Sequence, residues 1–152
     1  MSTSPDTIRT RTVTIATIAF MIACATPALV FKETVGLEGI KTLYGWWCLL
    51  TGPFLLASSQ PAWLANLGIV AGGIQLLRRK YKSALVWSAL AMVLALTTFA
   101  LFDQEVLSGE GMGKMRLKSL EIGYWLWLLC PTILFAGAEW CRGLRAEAEP
   151  EG

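Results

Sequence analysis

The sequence predicts an all-α polytopic membrane protein with four transmembrane helices and one additional short helix that lies in, or re-enters, the outer leaflet. Three observations carry this. Apolar residues make up 55% of the 152-residue chain and charged residues only 16%, well below the usual quarter. Runs long enough to cross a bilayer, about 20 residues, recur at Val13–Phe31, Ser83–Phe102 and Ile122–Cys141, and a longer run covers Gly45–Leu77. The basic residues sit beside these runs, as in membrane proteins. Residues 1–12 read as a cytoplasmic segment, 13–145 as a single four-span helical domain and 146–152 as a disordered acidic tail.

The first span, Val13–Phe31, follows Arg9 and Arg11 and contains Ala23-Cys24-Ala25. That pattern also fits a secretory signal with a small-residue cleavage site. Three further apolar runs favour an uncleaved first span.

The second run poses a length problem. As one helix, Gly45–Leu77 would extend about 50 Å against a hydrocarbon core of about 30 Å. Gly45–Ala57 therefore reads as the short outer-leaflet helix. Ser58-Ser59-Gln60-Pro61 supplies a break, and Pro61–Leu77 crosses. One long bent helix is the rival.

Charge sets the orientation. With four spans, Arg9, Arg11, Arg78, Arg79, Lys80, Lys82, Arg142 and Arg145 share one side, and Lys32, Lys41, Lys114, Arg116 and Lys118 the other. Eight against five puts both termini in the cytoplasm by the positive-inside rule, whereas five spans would reverse the bias. Trp46, Trp47, Trp125 and Trp127 then fall near the outer interface, Trp87 and Trp140 near the inner one, and Trp63 fits neither.

Two stretches rhyme. Gly45-Trp46-Trp47 leads to Pro53, and Gly123-Tyr124-Trp125 leads to Pro131, each proline eight residues after its glycine. They read as paired outer-interface anchors. Between the spans, Gly36–Gly39 and Ser108–Gly113 read as turns. Lys114-Met115-Arg116-Leu117-Lys118 reads as a segment lying on anionic headgroups, a partner contact or a solvated linker.

Inside the membrane, Gly68 and Gly72 form a helix-packing seam, joined by Ala19/Ala23, Ala84/Ser88 and Ala91/Ala95 at the same spacing. The seam serves either packing within one chain or a dimer. Asn66 needs hydrogen-bond partners if buried. Thr14, Thr17, Thr26, Thr97 and Thr98 either line a polar path or return their hydroxyls to the backbone.

The chemistry is sparse. There is no histidine, which removes the commonest general base and metal ligand. No carboxylate lies mid-span, where a coupled transporter would need one. Cys24, Cys48, Cys130 and Cys141 include no Cys-x-x-Cys pair. The expectation is a non-enzymatic protein with no cofactor and no metal site. It would act through helix or loop contacts with a partner, as an accessory subunit or immunity-type protein. The candidate partner or ligand contacts are Trp46, Trp47, Trp63, Asn66, Tyr124 and Trp127. Its partners would be the lipid bilayer and a membrane protein or a second copy of itself. A net charge of +2 gives no footing for nucleic acid. The alternatives are a small solute channel or carrier, and a lipid, quinone or thiol redox enzyme.

Gly45-Trp46, Trp63-Leu64-Ala65-Asn66 and Gly123-Tyr124-x-x-Trp127 together resemble a loose group of small, uncharacterised bacterial four-span inner-membrane proteins. The resemblance implies location in a bacterial inner membrane and a span beginning at the Trp-Leu-Ala-Asn segment. It implies no activity.

Overall fold

A computed structural model describes residues 4–33, 39–55, 61–103, 105–107 and 114–148. Five helices and four strands follow in the order α1 (Pro5–Ala25), β1 (Pro27–Glu33), β2 (Ile40–Tyr44), α2 (Gly45–Leu55), α3 (Ala65–Leu77), α4 (Tyr81–Leu96), β3 (Glu105–Leu107), β4 (Lys114–Leu120) and α5 (Ile122–Ala148). Short 3-10 segments precede α3 (Pro61–Leu64) and extend α4 (Thr97–Phe102). The expected turns at 36–38 and 108–113, the break at 58–60 and the tail from 149 lie outside the described residues.

Helix dominates, but the all-α expectation is corrected: the strands form one antiparallel sheet, ordered β2-β1-β4-β3. The first helix is therefore shifted from the expected Val13–Phe31: it already starts at Pro5, within the segment read as preceding the membrane. It ends at Ala25, where Thr26 returns its hydroxyl to Ile22 O at 3.0 Å. Pro27, fixed in φ and lacking an N–H, then opens β1. The segment Ala28-Leu29-Val30-Phe31 continues as a strand because its side chains bury on one face of a sheet, with Phe31 and Leu117 packed against Leu101. Likewise Lys114–Lys118 is β4, with Leu117 buried and Arg116 and Lys118 exposed. The alternation of basic and apolar residues is the period of a strand.

The four expected spans are met in part among the described residues. Three helical segments are long and apolar enough to cross a membrane: Pro5–Ala25, Tyr81–Phe102 and Ile122–Ala146. The fourth, Pro61–Leu77, is apolar but shorter. The run Gly45–Leu77 does divide, with α2 separated from Pro61–Leu77. At the other end, α5 continues through Ala148, so residues 146–148 of the expected tail are helical.

Packing is done by small residues. On α1 the buried positions are Ile8, Thr12, Ala16, Ala19 and Ala23; on α4 they are Tyr81, Ala84, Ser88, Ala91 and Ala95. Steps of three and four place each set on one helix face. That face of α1 meets α5, where a Cβ on Gly137 would overlap Thr12. On α4 it meets α3, where a Cβ on Gly68 would lie 2.9 Å from Ala91 Cβ and 3.2 Å from Trp87 O. A Cβ on Gly72 would lie 2.8 Å from Ser88 Oγ. The glycine seam thus joins two helices of the same chain. The outward faces carry the large side chains instead, among them Ile15, Ile18, Met21, Val70, Val86 and Val93, all more than half exposed.

The sheet lies at one end of the helices. At the other end are the α1 N-terminus, the α3–α4 turn and the α5 C-terminus, tied by Arg79 to Asp6 at 2.9 Å and by the Cys141 thiol to Pro5 O. The turn is a Schellman cap: Lys80 N donates to Gln75 O and Arg79 N to Leu76 O, with Arg79 at φ 60°.

The glycine contacts rank three substitutions. Gly68→Leu must push backbone apart and should destabilise by about 1–3 kcal/mol. Gly72→Ala should cost less, because the Ser88 hydroxyl can rotate away. Gly73→Ala, with nothing within 4 Å of its Cβ, should be neutral or stabilise by up to about 1 kcal/mol through lost backbone freedom in the unfolded chain. Thermal unfolding of the purified protein in one detergent checks the order.

Candidate functional site: an apolar cavity beneath the sheet

Where the helices meet the sheet they leave a cavity of about 150 Å³. Its roof is the inward face of the sheet: Ala28, Leu29, Phe31 and Leu43. Phe20, Ala23 and Cys24 of α1 form one wall, with Thr98 and Leu101 from the end of α4 and Gly123, Tyr124 and Trp127 from α5. The remaining wall is α2, through Gly45, Cys48, Leu49 and Gly52, with Trp63 and Asn66 behind it.

Two glycines make the corner possible. A Cβ on Gly45 would overlap Ala23 O and lie 2.9 Å from Cys24 Cα; a Cβ on Gly123 would lie 2.7 Å from Pro27 O. Both helices therefore start hard against the turn between α1 and β1. Gly45 N donates to Thr26 O at 3.1 Å, and Glu121 N to Ala28 O at 2.9 Å. The rhyme in the sequence is two helix starts gripping one turn.

The six candidate contact residues divide. Trp63, Asn66, Tyr124 and Trp127 all line the cavity. Trp46 and Trp47 do not: they stack edge to face at 5.3 Å on the outward side of α2, 48% and 45% exposed.

Trp63, which fitted neither interface, has a definite task. Pro53 has no N–H, so in α2 the Leu49 carbonyl loses its donor one turn on. The Trp63 indole N–H supplies it, donating to Leu49 O at 2.9 Å. Its ring lies where a Cβ on Gly52 would stand. Gly52-Pro53 is therefore a slot and an acceptor for one side chain. Asn66 joins α3 to α5: its Nδ2 donates to Trp63 O at 3.0 Å, and its Oδ1 accepts from Trp127 Nε1 at 2.8 Å. The Tyr124 hydroxyl donates to Ala95 O at 3.1 Å, where α4 tightens into its 3-10 extension. Thr51 returns its hydroxyl to Trp47 O.

The polar atoms on this wall are thus engaged by the protein itself. What faces the space is ring, methyl and methylene, with the thiols of Cys24 and Cys48. Among the described residues, no Asp, Glu, Lys or Arg is in the lining. The five threonines singled out in the sequence do not form one path: Thr14 and Thr17 face outward, Thr17, Thr26 and Thr97 return hydroxyls to the backbone, and of the five Thr98 reaches the cavity, which Thr51 of α2 also lines. Cys130 is buried and donates to Leu126 O, while Cys141 sits at the far end. All four cysteines are free.

Sequence reasoning missed Cys24 and Cys48 as neighbours across one space, and Gly52 as the seat of Trp63. The signal for Gly52 was present: a glycine followed by a helix-internal proline, with a tryptophan that suited neither interface.

The Trp63–Leu49 bond generates a double-mutant test. Trp63→Phe leaves a buried carbonyl without a donor and should cost about 1–3 kcal/mol. Pro53→Ala restores a backbone N–H one turn after Leu49. In that background Trp63→Phe should cost measurably less, as read by thermal unfolding. Additive losses would mean the indole is not the carbonyl's replacement donor.

Comparison with protein families, with curated proteins and with solved structures finds no match to this chain.

Proposed function

We propose that this chain is an integral membrane protein that binds, without transforming it, the apolar part of a lipid-derived molecule in the cavity beneath its sheet. In this reading it belongs to a bacterial inner membrane. The segments α1, Pro61–Leu77, α4 with its extension, and α5 cross it. The basic end and both termini are cytoplasmic, the sheet is outside, and α2 lies in the outer leaflet.

The membrane reading is supported by the placement of size. Alanine, serine and glycine occupy most of the close helix contacts, beside the buried Leu76 and Leu134, while many leucine, isoleucine and valine side chains stand on the outside. Helices associate this way where the solvent is itself apolar; in water such an outward belt would be a large adhesive patch. Pro61–Leu77 is short, but its first four residues are 3-10. At about 2.0 Å per residue there and 1.5 Å beyond, it reaches about 27 Å, close to a hydrocarbon core.

The observation that carries the binding reading is the cavity's chemistry. An apolar cavity of this size holds a benzene-sized group. A ring or a few methylenes of an acyl or isoprenoid chain fits it, whereas a charged substrate finds no group to meet. At 11 residues, about 16 Å long, α2 is too short to cross, and it presents one face to the cavity and the other outward. The accessory-subunit reading rests on that outward face, where Trp46, Trp47 and Leu50 stand exposed, and repeated purification without a co-purifying polypeptide would count against it.

A photoactivatable acyl chain tests the binding reading. Cross-linking in membranes should mark Cys48 and Trp63 on the cavity side. Cys48→Phe, which fills the space, should abolish that labelling while leaving helix content unchanged by circular dichroism. Labelling confined to Trp46 and Leu50, indifferent to Cys48→Phe, would sink the proposal. The crossing itself is checked separately. The protein should stay in vesicles after an alkaline wash, and reporters at the C-terminus and after Gly39 should fall on opposite sides.

A further inference from the structure

At the end opposite the sheet, the α3–α4 turn, the first turn of α4 and the last turns of α5 border an open concavity of about 440 Å³. Arg79, Lys80, Lys82, Arg142 and Arg145 line it together with Ser83. We propose that it binds the phosphate of an anionic phospholipid in the leaflet facing the basic end. The proposal rests on the reading that the chain spans a bilayer, and it is independent of the cavity beneath the sheet. The length of α4, 16 residues or about 24 Å, separates the two sites, so one molecule does not fill both.

Charge is the first argument. The five cations come from two segments about sixty residues apart and meet because α4 packs on α5. Among the described residues the acids ion-paired with them are Asp6, 2.9 Å from Arg79, and Glu139, 2.8 Å from Arg142, and Arg145 has an interaction of its own. Both pairs are solvent-exposed, and such pairs hold weakly. Among the described residues Lys80 and Lys82 have no ion-pair partner. The site therefore keeps an excess of positive charge in a recess, where attraction for an anion exceeds that of a flat surface.

Hydrogen-bonding capacity is the second. Lys80, at the N-cap of α4, gives the helix no side-chain acceptor. The first-turn N–H groups of a helix need one, and they favour negative charge. The Ser83 hydroxyl lies in the same lining. A phosphodiester offers acceptors to both and a charge to the cations.

Depth selects a lipid over a free anion. Trp87 on α4 and Trp140 on α5 are exposed within two turns of the cations. Exposed indoles at that height mark the headgroup region. Beyond them the outward faces are apolar, with Val86, Leu90 and Val93 exposed along α4. A headgroup held in the recess leaves its chains to run down that surface. Basic pockets between helices at the membrane boundary hold anionic headgroups in this way. The rival occupant from the chain itself is the acidic stretch after Arg145, with Glu147, Glu149 and Glu151.

The test uses the full chain in nanodiscs of phosphatidylcholine with or without phosphatidylglycerol, followed by native mass spectrometry of the released protein. The wild type should retain phosphatidylglycerol in preference to phosphatidylcholine. Lys82→Gln with Arg142→Gln should lower that retention about thirtyfold, at about one decade and a half for two near-surface charges. Arg11→Gln with Arg78→Gln removes equal charge at the same end, outside the lining, and should leave most of it. Equal retention of the two lipids, or equal loss in the two variants, overturns the site. Displacement by inorganic phosphate, with the ion bound equally well in detergent, overturns the lipid assignment. Preference seen only after truncation at Ala146 shows that the tail, not lipid, occupies the recess. Failure of the alkaline wash would fell the membrane reading first and is read separately.

Discussion

The rest of the structure depends on how closely three chain segments meet at the turn between α1 and β1. Gly45 and Gly123 each bring a helix start against the backbone of residues 23–27 at a separation that no side chain permits. Because the turn is held from both sides, β1 leaves α1 in a fixed direction and pairs with β2 on one edge and β4 on the other. The sheet's position over the helices follows. So does the cavity, which is the space left where α1, α2 and α5 converge on that turn without filling the corner.

The helices below are held by a different economy. Interior positions are small, so backbones approach and dispersion contacts are made by main chain and methyl groups. Close approach removes voids along α3–α4 and α1–α5. It cannot remove them at the sheet, where the partners of a helix are strand side chains of alternating direction rather than a second helix face. The large aromatic residues are spent there, with Tyr124 packed against Phe99 and Trp127, yet a space remains. One more methylene at Cys24 or Cys48 would shrink it.

Much of this was legible in the chain. Length and hydropathy located three crossing-length helices, and the excess length of Gly45–Leu77 showed that it must divide near Pro61. Asn66 announced that it needed partners. The two glycine–aromatic motifs marked equivalent helix starts, although their partner, the α1–β1 turn, is distant in sequence. The sheet was less legible because its strands are short and their composition imitates other things. Ala28–Phe31 continues an apolar run without interruption, so hydropathy extends the helix through it. In Lys114–Lys118 the period of two was visible, but beside a membrane alternating charge and apolar side chains also describe a surface-lying segment. The cavity was least legible. Its lining comes from six separate stretches, and no local pattern records that they meet.

The polar groups around the cavity show what kind of specificity it has. A site that orients a polar ligand keeps donors and acceptors uncommitted until the ligand arrives. Here the two indoles, the amide and the phenol are committed to Leu49, Trp63, Asn66 and Ala95. Those bonds fix the positions of the rings, and the rings fix the shape. In the proposed binding role, selection would then be by shape and apolarity, which discriminates weakly per methylene and suits a chain or ring common to many lipids. The wall best able to yield is α2: the other helical walls are backed by a second helix, whereas its outward side, with Trp46, Trp47 and Leu50, is exposed. Its inner anchors are the Gly45 contact and the Trp63 bond. In the proposed binding role an apolar ligand arriving from a leaflet would meet that helix first, and the Gly52-Pro53 slot that seats Trp63 would govern both the shape of the cavity and access to it.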